Sequence, residues 1–581
     1  MANIMSLKSL RNKTSRNGFD LSSKRNFTAK AGELLPVRCW EVLPGDSWSI
    51  DLKSFTRTQP LNTAAFARMR EYYDFYFVPY NLIWNKANTV LTQMYDNVQH
   101  AVSFDSTANN YLAGSMPYTT CQSIANYLYE LSENEKSGAP YGKNYFGYSR
   151  AKATVKLLEY LGYGNYSVYA NGSQWSANQL LANLNLNIFG LAAYQKIYAD
   201  HIRDSQWERV SPSCFNVDYL SGIDTSGLYL NFNSGNVKEY YNMLDLRYCN
   251  WQKDLFHGVL PRQQYGNTAT AVAPLAGNVF GVMSQTFVSA PTAGVVNSTD
   301  VNLRVNGAIS TANAELSILA LRQAEFLQKW KEITQSGNKD YKDQIEKHWN
   351  VSVGEAYSEM SLYLGGTTGN LDINEVVNNN ITGDNAADIA GKGTVVNNGR
   401  ISFNAGERYG LIMCIYHCMP LLDYTTDMVN PAFTKVNATD FAIPEFDRVG
   451  MESVPVVRMF NPVNKTGLDN SLLLGYAPRY IDYKTDVDSS VGAFKTSLKN
   501  WIMSYDNQSV LNQFALTDDS NSAVNGYGLV MNYTNFKVNP NSVDPLFAVA
   551  ADDSVDTDEF LCSSFFDVKV VRNLDVDGLP Y

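Results

Sequence analysis

Five histidines, seven cysteines and a surplus of carboxylates are what this 581-residue sequence offers to chemistry, and their spacing narrows the offer. The densest cluster is Cys414, His417 and Cys418 in CIYHC. On a strand Cys414 and Cys418 share one face and His417 takes the other, so one ion cannot easily hold all three. A zinc site would also need a fourth ligand or an open position. The cluster reads as two structural thiols and a histidine. GAPYGK ahead of Asn144 approaches a phosphate loop, but it is one residue short between its glycines. Asn144 also stands where Ser or Thr would hold magnesium. NLDVDG (Asn573 to Gly578) imitates the start of a calcium loop without the Glu that would close the coordination. There is no Gly-x-Ser-x-Gly elbow and no His-Glu-x-x-His. Asp518-Asp519 and Asp552-Asp553 sit in polar stretches, where solvation accounts for them. His201 falls on the apolar stripe of a helical pattern and reads as a satisfied core histidine. No catalytic residue, metal or cofactor is expected. Because a glycosidase needs no local motif, a secreted carbohydrate-active β protein, either glycosidase or lectin-like adhesin, stands as the alternative reading.

Composition points elsewhere. Aromatics make up 13 % of the chain, with 37 Tyr and 27 Phe, while charged residues are only 18 %, below the ~25 % usual for soluble domains. Interface cores are enriched in aromatics and depleted in charge, so this balance suggests a surface that becomes interior by association. No stretch reaches the ~18 apolar residues of a membrane span, and the first residues lack the apolar segment of a secretory signal. The odd, scattered cysteines suit buried thiols in a reducing cell. Residues 1–38 hold eight basic side chains against Asp20 and Glu33, a net +6, which leaves −17 on the rest of a chain of net −11. A basic arm on an acidic body is the usual picture of a tail that touches a polyanion. Lys8, Arg11, Lys13, Arg16, Lys24 and Arg25 are its candidate nucleic-acid contacts.

The elements that would position any site alternate strands with long excursions. In LLPVRCWEVLPGDSWSIDLKSF, Trp48, Ile50 and Leu52 alternate with Ser49, Asp51 and Lys53, the period of a strand with one buried face, and Pro44-Gly45-Asp46 supplies a turn. In REYYDFYFVP, Tyr73, Phe75 and Phe77 point one way and Tyr72, Tyr76 and Val78 the other, so both faces should be covered. Residues 103–187 read as a long insertion with a short helix at 151–161. Residues 188–202 read as helix, and so does the stripe Leu316, Leu319, Phe326, Leu327, Trp330 and Ile333. Residues 265–312 are small and β-prone, 366–400 are loop-like, and strands return from 401.

Several blocks carry a resemblance: FTAKAGELLPVRCWEVLPGD (27–46), RTQPLNTAAFARMREYYDFYFVPYNLIW (57–84), AYQKIYADHIRDS (193–205), WQKDLFHGVLPRQQYGN (251–267), ALRQAEFLQKWKE (320–332), YLGG (363–366), LGYAPRYIDYK (474–484) and FFDVKVVRNLDVDGLP (565–580). In this order they resemble the major capsid proteins of the Microviridae, small tailless icosahedral phages with single-stranded DNA, and most nearly the gokushovirus-like branch. The resemblance implies an all-β core, an eight-stranded antiparallel jelly roll with helix-containing insertions. On that reading residues 39–581 form one domain, with insertions at about 103–187, 268–312 and 367–400.

It further implies a structural protein and no enzyme. About sixty copies would close into a T=1 shell around a circular single-stranded genome. The expected location is the virion, after assembly in the host cytoplasm. Its partners would be other copies of the chain, the packaged DNA, minor capsid, scaffolding or DNA-pilot proteins, and a host surface receptor, without membrane insertion. Receptor-facing loops are expected first in 103–187 and second in 367–400, since exposed connections on a rigid scaffold carry recognition.

Overall fold

The computed structural model describes residues 15–92, 116–139, 141–176, 184–220, 229–232, 243–269, 318–354, 358–377, 389–425, 429–459, 473–504, 533–547 and 558–576. The chain divides into two compact units, Met1–Pro261 with Gly354–Tyr581, and Arg262–Val353.

The first unit is built on one antiparallel sheet. Its strands are β1 (Asn17–Asp20), β2 (Ser23–Ala29), β3 (Leu35–Val42), β4 (Ser47–Thr58), β5 (Met69–Pro79), β8 (Leu362–Val377), β9 (Ile389–Asn404), β10 (Gly410–Pro420) and β13 (Phe560–Arg572). They run in the order β1-β13-β4-β9-β8-β5-β10-β3, with β2 also paired to β13. Two short pairs stand apart, β6 (Tyr118–Thr120) with β7 (Asn185–Asn187) and β11 (Met451–Pro455) with β12 (Leu473–Pro478).

The long sheet curls into a half-barrel, because strands far apart in its order meet across the core. Tyr73 Oη on β5 lies 2.8 Å from Ser564 Oγ on β13. Phe75 packs edge-on to Phe566 and Phe77 against Phe403. Trp40 on β3 touches both Trp48 and Phe566, and Arg38 Nη2 donates to Ser23 Oγ at 2.6 Å. Trp48, Ile50 and Leu52 are buried as their alternation requires. β5 is covered on both faces: Tyr73, Phe75 and Phe77 point into the half-barrel, while Tyr72 stacks on His417 and Tyr76 lies against His201 and Tyr363.

Helices fill the excursions. They are α1 (Tyr80–Ile83), α2 (Ala87–Leu91), α3 (Cys121–Lys136), α4 (Arg150–Leu161), α5 (Ser167–Ala170) and α6 (Phe189–Ile197), the last continuing as a π turn to Ile202. α4 starts where the Ser149 side chain accepts from Lys152 N and ends at Gly162, whose φ of +90° favours glycine. Tyr194 on α6 donates to Leu34 O at 2.9 Å, tying the helix to the chain just before β3. In the second unit α7 (Ile318–Ser336) and α8 (Tyr341–Trp349) form a pair. Phe326, Leu327 and Trp330 of the expected stripe are exposed there.

Two expectations are corrected. Residues 367–377 and 389–400 are not loop-like, because they lie in β8 and β9 in the middle of the sheet; residues 378–388 fall outside the described residues. Residues 1–38 are not one arm, because β1, β2 and the start of β3 lie within them. The expected insertion at 268–312 falls almost wholly outside the described residues.

Candidate functional site

β4 alternates Lys53, Phe55 and Arg57 on the outside of the half-barrel with Leu52, Ser54, Thr56 and Thr58 on the inside. Its neighbours extend that outer face in register. Lys53 stands opposite Phe565 of β13, which in turn faces Lys24 of β2. Phe55 pairs with Ser563 and, on the other side, with Val396 of β9. Arg57 pairs with Leu561 and Thr394. Neighbouring strands lie ~4.8 Å apart and same-face residues ~6.8 Å apart along a strand, so this patch is compact. Lys24, Lys53 and Arg57 are exposed, and so are Phe55, Leu561, Phe565 and Val396.

The Arg57 guanidinium lies 4.9 Å from the Phe55 ring centroid, and a hollow of about 560 Å³ opens between Lys24, Phe55, Arg57 and Leu561. Among the described residues none of the three cations joins an ion pair. The other end of the same face is neutralised: Lys569 lies 3.7 Å from Asp20 and 3.6 Å from Asp567, and Arg400 stands opposite Asp51 in register. One end therefore offers unpaired positive charge among exposed rings. That arrangement suits a single nucleic-acid strand, whose phosphates take the charge and whose bases stack on aromatics.

The expected contact residues divide. Lys8, Arg11 and Lys13 lie outside the described residues. Arg16 Nη2 donates to Gly45 O at 3.0 Å and to Ser47 Oγ at 2.7 Å. Arg25 turns to α4, where its Nη2 donates to Tyr160 O at 3.0 Å and its guanidinium lies 5.8 Å from the Tyr160 ring centroid. Burial, with Arg38 nearby, lowers the Arg25 pKa. Of the three described, Lys24 alone lies on the patch. Counting charge missed Lys53, Arg57, Phe55 and Phe565. The signal was the KSFTR alternation itself, which puts Lys, Phe and Arg on one face of a strand whose inward positions are already assigned.

CIYHC lies on β10 with Cys414 and Cys418 buried toward the core and His417 on the opposite face. Burial drives the Cys418 thiol far above its usual range and the His417 imidazole down to about 4. His417 is therefore neutral at pH 7 although Asp74 Oδ2 is 4.0 Å away. His201 is not a core residue: it is exposed, and its Nε2 lies 2.7 Å from Ser361 O. Among the described residues no group of three or more His, Cys, Asp or Glu could hold a metal ion, and no helix is long and apolar enough to cross a membrane.

Comparison with known proteins meets this geometry from another side. A family profile described as capsid protein (F protein) matches residues 8–128 and 173–580. The stretch between the two matches carries the end of α3 together with α4 and α5. Capsid protein VP1 of Bdellovibrio phage phiMH2K is 22 % identical over 510 residues, covering 83 % of each chain. Capsid protein VP1 of Chlamydia phage 1 is 20 % identical over 283 residues, covering 46 % of this chain and 43 % of that one.

Proposed function

We infer, from the premise that this chain belongs to the capsid protein (F protein) family, that its copies close into the simplest icosahedral shell, about sixty of them, around circular single-stranded DNA. The chain is a structural major capsid protein of the small single-stranded-DNA phages, not an enzyme, which sets aside the carbohydrate-active alternative. In this reading the half-barrel is an eight-stranded jelly roll, with β2-β13-β4-β9 as one face, β8-β5-β10-β3 as the other and β1 as an added edge. Minor, scaffolding or pilot proteins join the shell in the host cytoplasm. Residues 103–187 present the receptor-facing surface. Residues 367–377 and 389–400 lose that role because they are sheet.

The observation that carries the DNA reading is the patch of Lys24, Lys53 and Arg57 around exposed Phe55 and Phe565. In this reading the patch faces the inner side of the shell, and Lys8, Arg11, Lys13 and Arg16 are further DNA contacts of the same chain, Arg16 from the other end of β4 beside Gly45 and Ser47. The test is anisotropy of labelled oligothymidylate on the full chain across a salt series. Replacing Lys24, Lys53 and Arg57 together with Ala should make the log–log salt slope shallower by about 2, at ~0.7 per phosphate contact. Phe55→Ala should weaken binding with the slope kept, by ~1–3 kcal/mol for a stacked base. An unchanged slope in the triple variant would remove the patch from DNA binding.

A further inference from the structure

Two loops of the first unit, residues 429–450 and 479–501, contain no buried side chain. In the first, all but Pro431, Lys435, Ile443 and Gly450 are exposed. Their conformation is nevertheless specified. Asp440 Oδ2 accepts from Val436 N at 3.0 Å and Asn437 N at 2.8 Å, and Asn430 Oδ1 accepts from Ala432 N at 2.9 Å. The loops also lean on each other: Lys484 Nζ is 2.6 Å from Asp447 Oδ1, and Lys435 Nζ lies 3.8 Å from the Tyr483 ring centroid. Fixing a backbone costs ~1–2 kcal/mol per residue, and exposed hydrogen bonds return little of it. A lobe with no core of its own must find its burial elsewhere.

What the lobe shows to solvent is apolar. Phe433 is 80 % exposed, Val436 81 %, Val491 71 % and Val449 63 %, and Phe441 and Phe446 are exposed as well. With Val429 and Tyr483 these side chains offer on the order of 800 Å², the share one partner gives to a standard interface. Monomers rarely leave so much apolar surface open. Charge says what covers it. The whole chain is −11, so two copies repel in general, but these two loops carry as many basic as acidic side chains. Like-charged copies can approach there without that penalty.

We propose that this lobe is a contact surface for a second copy of the chain, with Phe433, Val436, Phe441 and Val449 as its apolar anchors. The proposal rests on the self-assembly reading above. A closed shell needs heterologous contacts, in which one patch meets a different one on the neighbour, so a single exposed lobe on each copy is enough.

The test pairs Phe433→Ser with Val436→Ser in the full chain and runs the wild type alongside. The free subunit should melt as the wild type does, because neither side chain is buried within it, while particle yield falls at least tenfold. Hydrogen exchange at 429–450 should be fast in the free subunit and slow at least tenfold on assembly. Normal particle yield from the variant would overturn the lobe proposal alone. So would a lowered melting point of the free variant, or protection that appears only when another virion protein is added. A wild type that forms no particles would overturn the self-assembly reading and the lobe with it.

Discussion

Replacing Glu71 with glutamine is expected to stabilise the subunit at pH 8 and to change little at pH 4.5. Glu71 lies on β5 and points into the half-barrel beside Tyr73, 1 % exposed. Ser54 Oγ donates to its Oε1 at 3.4 Å, and its Oε2 has no hydrogen-bond partner among the described residues. Burial pushes the carboxyl up to about 7, against the opposing pull of Thr56, Ser54, Tyr416 and Asn397. The folded-state value therefore lies above the ordinary 4.5, and the folded protein keeps a proton that the unfolded chain releases first. The stabilisation is complete below pH ~4.5 and is lost as pH rises through about 7, a loss on the order of 3 kcal/mol. Glutamine cannot ionise and escapes that loss. Asp74, pushed up to about 6 by burial, adds a slope of the same sign, but it does so in both proteins. Denaturant midpoints from pH 4.5 to 8 should diverge between the two proteins as pH rises. Parallel curves would mean that Glu71 stays charged or is solvated in the folded state.

The second large effect is expected from Lys537→Met. Lys537 Nζ is 3.0 Å from Glu208 Oε2 and donates to Tyr198 Oη at 2.6 Å, while Tyr198 Oη donates to Glu208 at 2.5 Å. Lys537 and Glu208 are both buried. Burial alone would raise the Glu208 pKa, but Lys537 and Arg247 pull it below its usual range. Removing the ammonium strands a carboxylate in the interior, a change that destabilises by ~3–5 kcal/mol. Changing Lys537 to Met and Glu208 to Gln together should restore much of the loss, since replacing both members of a buried pair is often nearly neutral. Denaturant unfolding of the three proteins decides it. A double variant as unstable as Lys537→Met would show that packing, not charge, sets the cost.

Much of the β framework could be read from residue order because its signals are local. The alternation at Trp48, Ile50 and Leu52, the two-sided aromatics of β5 and the short helix at 151–161 all lie within single elements. β8 and β9 hid because their signal is absent by necessity. A Cβ on Gly369 would meet Val395 Cγ1 at 2.5 Å, and one on Gly399 would strike Thr367 Cγ2. Here the two strands need small residues where side chains crowd, so they look like loop. Gly365, at φ +125°, sits where the register between β5 and β8 shifts at a bulge.

The basic N-terminal stretch misled for a related reason. In SKRNFTA only Phe27 and Ala29 are buried, so this edge strand carries almost no apolar alternation, and a charge count alone reads it as a tail. The patch was half legible: Lys53, Phe55 and Arg57 share a face by spacing, but only the pairing of β13 with both β2 and β4 brings Lys24 and Phe565 beside them. The environment of Glu71 was not legible at all, since the groups around it come from β4, β9 and β10.

The most direct measurement is the mass of the particle the purified chain forms, taken by charge-detection mass spectrometry. About sixty copies of a 64.8 kDa chain predict a single species near ~3.9 MDa. A dominant particle of some other copy number, or subunits that stay single at every concentration and salt even with companion virion proteins supplied, would contradict the account.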